Sequence, residues 1–446
     1  MAYNREYLES KCNVSKLKHI LIDLSGVPGT KNKSEIIEEI LKIQSGEIKP
    51  LKSNRGRPRN EEKNRIPSSD GKVKIFDHEN VFDYGTEITG IFEPCPDGYG
   101  FLRVENYSPS QKDAFVARPT VRTYNVLKGD KVYGKIERKR ENELPELTEV
   151  YEINDKPFED AKRVKFDELV ATYPDKRLDL AKNNIDASLK IIDLLCPIGF
   201  GQRGLIVAPP KAGKTTLLKK IAYSIENNHK DVHLIVLLID ERPEEVTDFK
   251  SYIKRGEVIS STFDESPEHH TKVCELALSR AMRLCEQGEN VFILMDSITK
   301  LTRAYNLIVP SSGKTLSGGI DPASFTFPKR LFGSARNTAC GSLTVVATCL
   351  VETGSKMDEV IFEEFKGTGN MEIILSRELS ENRVFPAIDV KKSSTRKEEL
   401  LLSKDEYELS IKIRRSVKDI NGVVNLIDLL ERTKSTKELI AIFNKQ

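Results

Sequence analysis

The sequence lacks any long apolar run. Its strongest, Leu234–Ile239, is far too short to cross a bilayer, so the composition offers no membrane-spanning helix. Paired cysteines are also missing. The seven cysteines (12, 95, 196, 274, 285, 340 and 349) are odd in number and scattered, without a C-x-x-C pair. That argues against a zinc site or a disulfide framework and for reduced thiols in the cytoplasm. Excess charge of one sign is absent: 70 Lys+Arg against 68 Asp+Glu leaves +2, so any affinity for a polyanion must rest on local clusters. The opening residues, Met1 to Glu6, are too polar for a signal peptide. What is present is 446 residues, 38% hydrophobic and 31% charged, enough for two or three domains with real cores.

Four segments follow from composition and periodicity. Residues 1–48 read as a small helical unit: Leu17, Ile20, Leu21 and Leu24 share helical spacing, as do Ile36, Ile37, Ile40 and Leu41, with a Gly26–Thr30 breaker between. Such a pair serves either as a nucleic-acid module or as a packing unit. Residues 49–72 are basic and nearly devoid of apolar side chains, the composition of a disordered linker. Its Arg55-Gly-Arg-Pro-Arg59 string resembles a minor-groove hook, with a solvated linker the preferred reading. Residues 73–155 alternate in short stretches (86–92, 100–104, 114–116, 131–136, 147–153) separated by turn signals, as in an OB-type, cold-shock-like barrel. Residues 156–446 alternate apolar strands with helical patterns, the mark of an α/β domain with a largely parallel sheet. The fold class is therefore multidomain α+β.

The barrel segment carries Asp97-Gly-Tyr-Gly-Phe-Leu-Arg103. Tyr99, Phe101 and Arg103 are two apart and share one face of a strand, with glycines beside them to let bases approach. Phe115 adds a third ring. Rings with a cation suit stacking of single-stranded bases, preferred here over the alternative that they fill the barrel.

The α/β segment carries Gly204-Leu-Ile-Val-Ala-Pro-Pro-Lys-Ala-Gly-Lys-Thr-Thr216, a strand, a small-residue turn and a helix start. The turn, with Lys211, Ala212, Gly213, Lys214, Thr215 and Thr216, reads as a loop that cradles the phosphates of ATP; Lys214 reaches the β and γ phosphates and Thr215 suits Mg²⁺. Asp296 closes the apolar strand Val291–Met295 and is the expected second Mg²⁺ partner. Asp240, Glu241 and Arg242 end another strand; Glu241 is preferred as activator of the attacking water, against an acidic helix start before Pro243. Arg383 and Arg396 have no obvious local acid and are candidate arginine fingers. The loops 309–319 and 353–356, with Lys314 and Lys356, suit either the lining of a ring pore or an ordinary surface.

Together the phosphate loop, Leu238-Ile-Asp-Glu-Arg-Pro-Glu-Glu-Val246, Asp296-Ser-Ile-Thr299, Val351–Val360, Phe365–Met371, Arg383–Ile388 and Thr395–Leu400 resemble the bacterial Rho termination factors from about Asp97 onward. The resemblance implies a RecA-like ATPase domain in a homohexameric ring that moves 5′ to 3′ along single-stranded RNA, unwinds RNA–DNA hybrids and meets RNA polymerase and its elongation factors. It further implies that Lys211, Lys214 and Thr215 bind phosphates and Mg²⁺, that Glu241 activates water, and that Arg396 acts in trans while Arg383 assists. Phe385 would stack on adenine, Arg242 would line the nucleotide site, and Lys314 and Lys356 would grip RNA in the channel. Tyr99, Phe101, Arg103 and Phe115 would form the primary RNA site. Two departures stand out: Lys300 where the family has arginine, and Leu144 and Pro145 where it has aromatics. The alternative from another class is an RNA-binding protein or RNA chaperone with little ATP turnover.

Overall fold

The computed structural model describes residues 17, 33–45, 86–138, 143–158, 164–182, 186–434 and 436–443. The chain divides into two compact units, residues 1–80 and 81–446. In the first, helix α1 (Lys33–Gln44) buries Ile36, Ile37 and Ile40, and Leu17 is buried with them. The spacing of these isoleucines is what makes one face of the helix apolar. Ile20, Leu21, Leu24 and the basic 49–72 stretch lie outside the described residues.

The second unit opens with five strands: β1 (Glu87–Pro94), β2 (Gly100–Arg103), β3 (Ala114–Val116), β4 (Lys131–Glu137) and β5 (Glu146–Ile153). They pair in the order β3-β2-β1-β4-β5, and β3 meets β5 at Phe115 and Glu146, which closes the barrel. Period-two burial explains it: Phe92, Leu102, Val116, Val132, Ile136, Leu147 and Val150 point inward and form one cluster. Full burial of each large apolar side chain contributes ~1.5–3 kcal/mol. Gly100 belongs to this core. A Cβ there would sit 2.4 Å from the Phe92 ring and from the Glu93 carbonyl, so this glycine answers to packing inside the barrel rather than to room for bases outside it.

The α/β part is a sheet built from β6 (Arg203–Ala208), β7 (Val232–Glu241), β8 (Glu257–Thr262), β9 (Asn290–Asp296), β10 (Ser342–Leu350), β11 (Met371–Ile374) and β12 (Ser394–Thr395). Their order is β8-β7-β9-β10-β6-β11-β12, parallel except for the last. Each central strand is apolar on both faces because helices cover both. On β7, Leu234, Val236 and Leu238 enter one core while Ile235, Leu237 and Ile239 enter the other. The sequence displays two of them as the apolar runs Leu234–Ile239 in β7 and Val291–Met295 in β9. It gives no signal for β8, whose Glu257-Val-Ile-Ser-Ser-Thr262 is half polar.

Those polar groups fasten the barrel. Asn106 exchanges two hydrogen bonds with the Ser260 backbone, at 2.7 and 2.8 Å. The Tyr107 hydroxyl donates to Glu257, whose other oxygen meets His233 Nε2 at 2.5 Å. Ser108 meets His269 at 2.8 Å, and the buried Arg280 donates to Asn154 at 2.5 Å. Arg280 and His269 lie on α4 (Pro267–Glu286). No helix among the described residues is long and apolar enough to cross a membrane.

Candidate functional site

In a parallel sheet the strand carboxyl ends share one edge, where ligands bind. Here that edge gathers the phosphate loop after β6, Glu241 at the end of β7 and Asp296 at the end of β9. The loop leads into α2 (Lys214–Asn228), whose N-cap, Gly213, has φ 82°. Lys211 is also left-handed, at φ 65°. A loop that ends in a helix N-terminus offers unpaired backbone N–H groups, and the helix dipole adds positive field there.

Lys214 Nζ lies 2.6 and 2.5 Å from the two Asp296 oxygens and 3.4 Å from Glu241 Oε1. Both acids are almost fully buried, 1% and 5% exposed. Burial would depress the Lys214 ammonium, but the charges of Asp296 and Glu241 more than offset it, so its pKa is raised. Burial and then the charge of Asp296 push Glu241 above its ordinary range; Lys214 and Lys300 pull against that shift. A carboxylate held this way is a better proton acceptor than a solvated one.

Three further residues complete the cluster. Thr348 on β10 donates to Asp296 at 2.7 Å and fixes its carboxylate. Glu245, on α3 (Pro243–Tyr252), accepts from the Thr215 hydroxyl at 3.1 Å. Lys300, on α5 (Ile298–Ile308), donates to Glu241 Oε1 at 2.7 Å and to the Asp240 carbonyl at 2.6 Å. Thr348 is an ordinary residue until the sheet brings it here, whereas the sequence marks Lys300 as a departure and carries Glu245 within the Leu238–Val246 motif.

Ala212 is buried under the loop, while Lys211, Thr216 and Arg242 are exposed around it. Phe385 is 45% exposed. Its ring lies 3.4 Å from where a Cβ at Gly213 would stand, so it flanks the phosphate loop. Arg383 precedes it, exposed and at φ 61°. Arg396 stands elsewhere. Its N–H donates to Asn370 O, and Asn370 N–H donates to Arg203 O, at the first residue of β6. A six-residue strand separates that end from the phosphate loop, about 20 Å at ~3.3 Å per residue.

Hard oxygen donors are what Mg²⁺ takes, and it is usually bound by one or two protein groups plus substrate phosphates. The Thr215 hydroxyl and Asp296 carboxylate fit that requirement. No cluster of three or more metal-ligating side chains occurs among the described residues.

On the barrel, Tyr99, Phe101 and Phe115 form a triangle with ring centroids 5.6 to 6.1 Å apart, each half-buried. Arg103 is tied down beside them. Its Nε meets Glu93 at 2.5 Å, its Nη1 meets Asp113 at 2.6 Å, and its guanidinium lies 4.9 Å from the Phe101 ring centroid. Asp113, fully buried, also accepts from Ser110 and from Val104 N–H. Sequence spacing put Arg103 on the ring face correctly but gave no hint of its two acids. Pro145 is buried next to the triangle and accepts from Phe115 N–H at 2.8 Å; Leu144 precedes it, half-buried.

Lys314 is exposed in its loop, and Lys356 is the exposed first residue of α6 (Lys356–Lys366). The two loops converge: a Cβ on Gly318 would lie 2.6 Å from Met357 N. Buried Asp358 anchors α6 by accepting from Arg303 at 2.9 and 2.5 Å and from Thr353 at 2.5 Å.

Known proteins resemble both parts of the second unit. Residues 88–159 match the Rho termination factor RNA-binding domain, and residues 188–395 match the nucleotide-binding domain of the ATP synthase alpha/beta family. Transcription termination factor Rho of Bacillus subtilis is 53% identical over 354 residues, 78% of this chain and 83% of that protein. The chain belongs to the Rho transcription termination factor family. Its Aquifex aeolicus relative is 42% identical over 455 aligned positions, covering 99% of this chain and 96% of that one. An ATPase from the type III secretion system of pathogenic bacteria shares the fold, with TM-score 0.53 and 22% identity, over 70% of this chain and 93% of that one. This member of the Rho family thus joins an RNA-binding barrel to an ATP-hydrolysing α/β domain.

Proposed function

We propose that the chain hydrolyses ATP in response to single-stranded RNA, moves 5′ to 3′ along it as a homohexameric ring, and terminates transcription in the cytoplasm by acting on RNA polymerase and its elongation factors. The observation that carries this reading is the meeting of Lys214, Glu241 and Asp296 at one sheet edge, in the same compact unit as an accessible aromatic triangle.

The residues present divide the work. Lys211, Ala212, Gly213, Lys214, Thr215 and Thr216 receive the phosphates, with Arg242 and Arg383 at the rim and Phe385 against the adenine. Thr215 and Asp296 would hold Mg²⁺, which when bound supplies charge neutralisation across the phosphates. Asp296 and Lys214 are bonded to each other, so nucleotide must draw the ammonium away from the carboxylate. Glu241 orients the attacking water and takes its proton. Arg396 lies a strand length from its own phosphate loop, which supports action on the site of a neighbouring subunit. Lys314 and Lys356, on converging loops, are placed to grip RNA together, and Tyr99, Phe101 and Phe115 stack its bases.

Steady-state ATP turnover of the full chain, with and without a single-stranded polyribonucleotide, tests the reading. Strong stimulation supports it; turnover indifferent to RNA defeats the motor.

A further inference from the structure

We propose that Lys300 is a positioning residue for hydrolysis: one amine pins both the Asp240 peptide and one oxygen of Glu241, so that the other oxygen is presented to the water. The proposal rests on the reading of Glu241 as the activating base.

Lys300 sits in the first turn of α5, where Ser297 caps the helix by accepting from Lys300 N–H at 3.2 Å. The stem is largely enclosed, at 19% exposure, and the ammonium is directed to the end of β7. There it donates to Asp240 O at 2.6 Å and Glu241 Oε1 at 2.7 Å. Asp240 has φ 56°, a left-handed conformation that a side-chain-bearing residue keeps only when its surroundings hold it. The carbonyl that Lys300 takes belongs to this residue, and the next residue is Glu241. The amine therefore fixes the strained peptide and the carboxylate it delivers with two hydrogen bonds from one group.

The remaining groups do not duplicate this. The charged groups around Glu241 are Asp296 from β9, Lys214 from α2 and Lys300 from α5. Lys214 approaches the same oxygen, Oε1, at the longer distance of 3.4 Å and is committed to both oxygens of Asp296. Among the described residues nothing donates to Oε2.

The test is steady-state ATP turnover at saturating RNA for full-length Lys300→Met and Lys300→Arg, with thermal melts to show that each chain folds. The methionine variant is expected to lose about 10- to 100-fold in kcat, the range for removing a group that orients a reacting side chain, with the KM for ATP unchanged. The arginine variant is expected to recover most of that loss. Wild-type kcat in Lys300→Met, a loss confined to KM, or a folded arginine variant with no recovery overturns the proposal. Should the methionine chain not fold, Lys300→Gln is read by the same criteria. Glu241→Gln, measured in parallel, separates the two readings. If it turns over ATP normally, the base assignment fails; if it is inactive while Lys300→Met is not slowed, that assignment stands and only the role of Lys300 falls.

Discussion

The phosphate-loop site and the aromatic face of the barrel solve opposite problems. The first concentrates charge out of water: Lys214 reaches both Asp296 and Glu241, Lys300 reaches Glu241, and none of the four is more than 19% exposed. Low dielectric makes such interactions strong and makes any unpaired member costly. The second leaves apolar rings half in solvent and ties the charge beside them to acids. Arg103, clamped by Glu93 and Asp113, supports Phe101 rather than standing free. Chemistry demands fixed charges; capture demands accessible surface on a fixed frame.

The comparison breaks most sharply at the charged site. Arg396→Ala should cost about 10³–10⁵ in kcat, as for an arginine finger. In mixed rings its activity should be rescued at its own phosphate loops by wild-type neighbours, read from ATPase titrations of variant against wild-type chain. Glu241→Gln should cost roughly 10²–10⁴ in turnover yet keep nucleotide affinity, measured with a fluorescent ATP analogue. At the barrel the expected effects are smaller and of another kind. Phe101→Ala should weaken RNA binding by ~1–3 kcal/mol, the contribution of one stacked base, with the melting temperature little changed. Equal affinity in a filter-binding titration would assign the ring to structure alone. Asp113→Asn should weaken RNA binding less, by loosening Arg103 beneath the rings, checked in the same titration.

The smallest effect concerns the junction between the regions. Burial alone would raise the pKa of Glu257, but hydrogen bonds from His233 and Tyr107 bring it down to about 2. A carboxylate with a depressed folded pKa stabilises above its unfolded value, ~4.3, and that contribution is lost as pH falls toward 2. Glu257→Gln should therefore lower the melting temperature near pH 7, and the gap from wild type should close as pH drops below about 4.

Legibility in the sequence follows from contiguity. The phosphate loop, Asp296 and Glu241 each sit at the end of an apolar strand, so a run of hydrophobic residues announces them. Tyr99 and Phe101 declare a shared face by spacing alone. Thr348 comes from a strand 52 residues after Asp296, and Asp113 and Glu93 lie 10 residues either side of Arg103; all three resemble any surface residue until the sheet or barrel closes. Strand β8 was hidden for the same reason: Ser260 and Ser261 spoil its apolar pattern, and their partners Asn106, His269 and His270 lie outside its own strand.

The most direct measurement is the RNA concentration that half-maximally stimulates ATP turnover, in wild type and Phe101→Ala. A ring on the barrel that serves a distant ATPase should shift that concentration upward by about 5- to 150-fold, the equivalent of ~1–3 kcal/mol, and leave the maximal rate intact. Turnover that is the same with and without RNA, in either chain, would contradict the account.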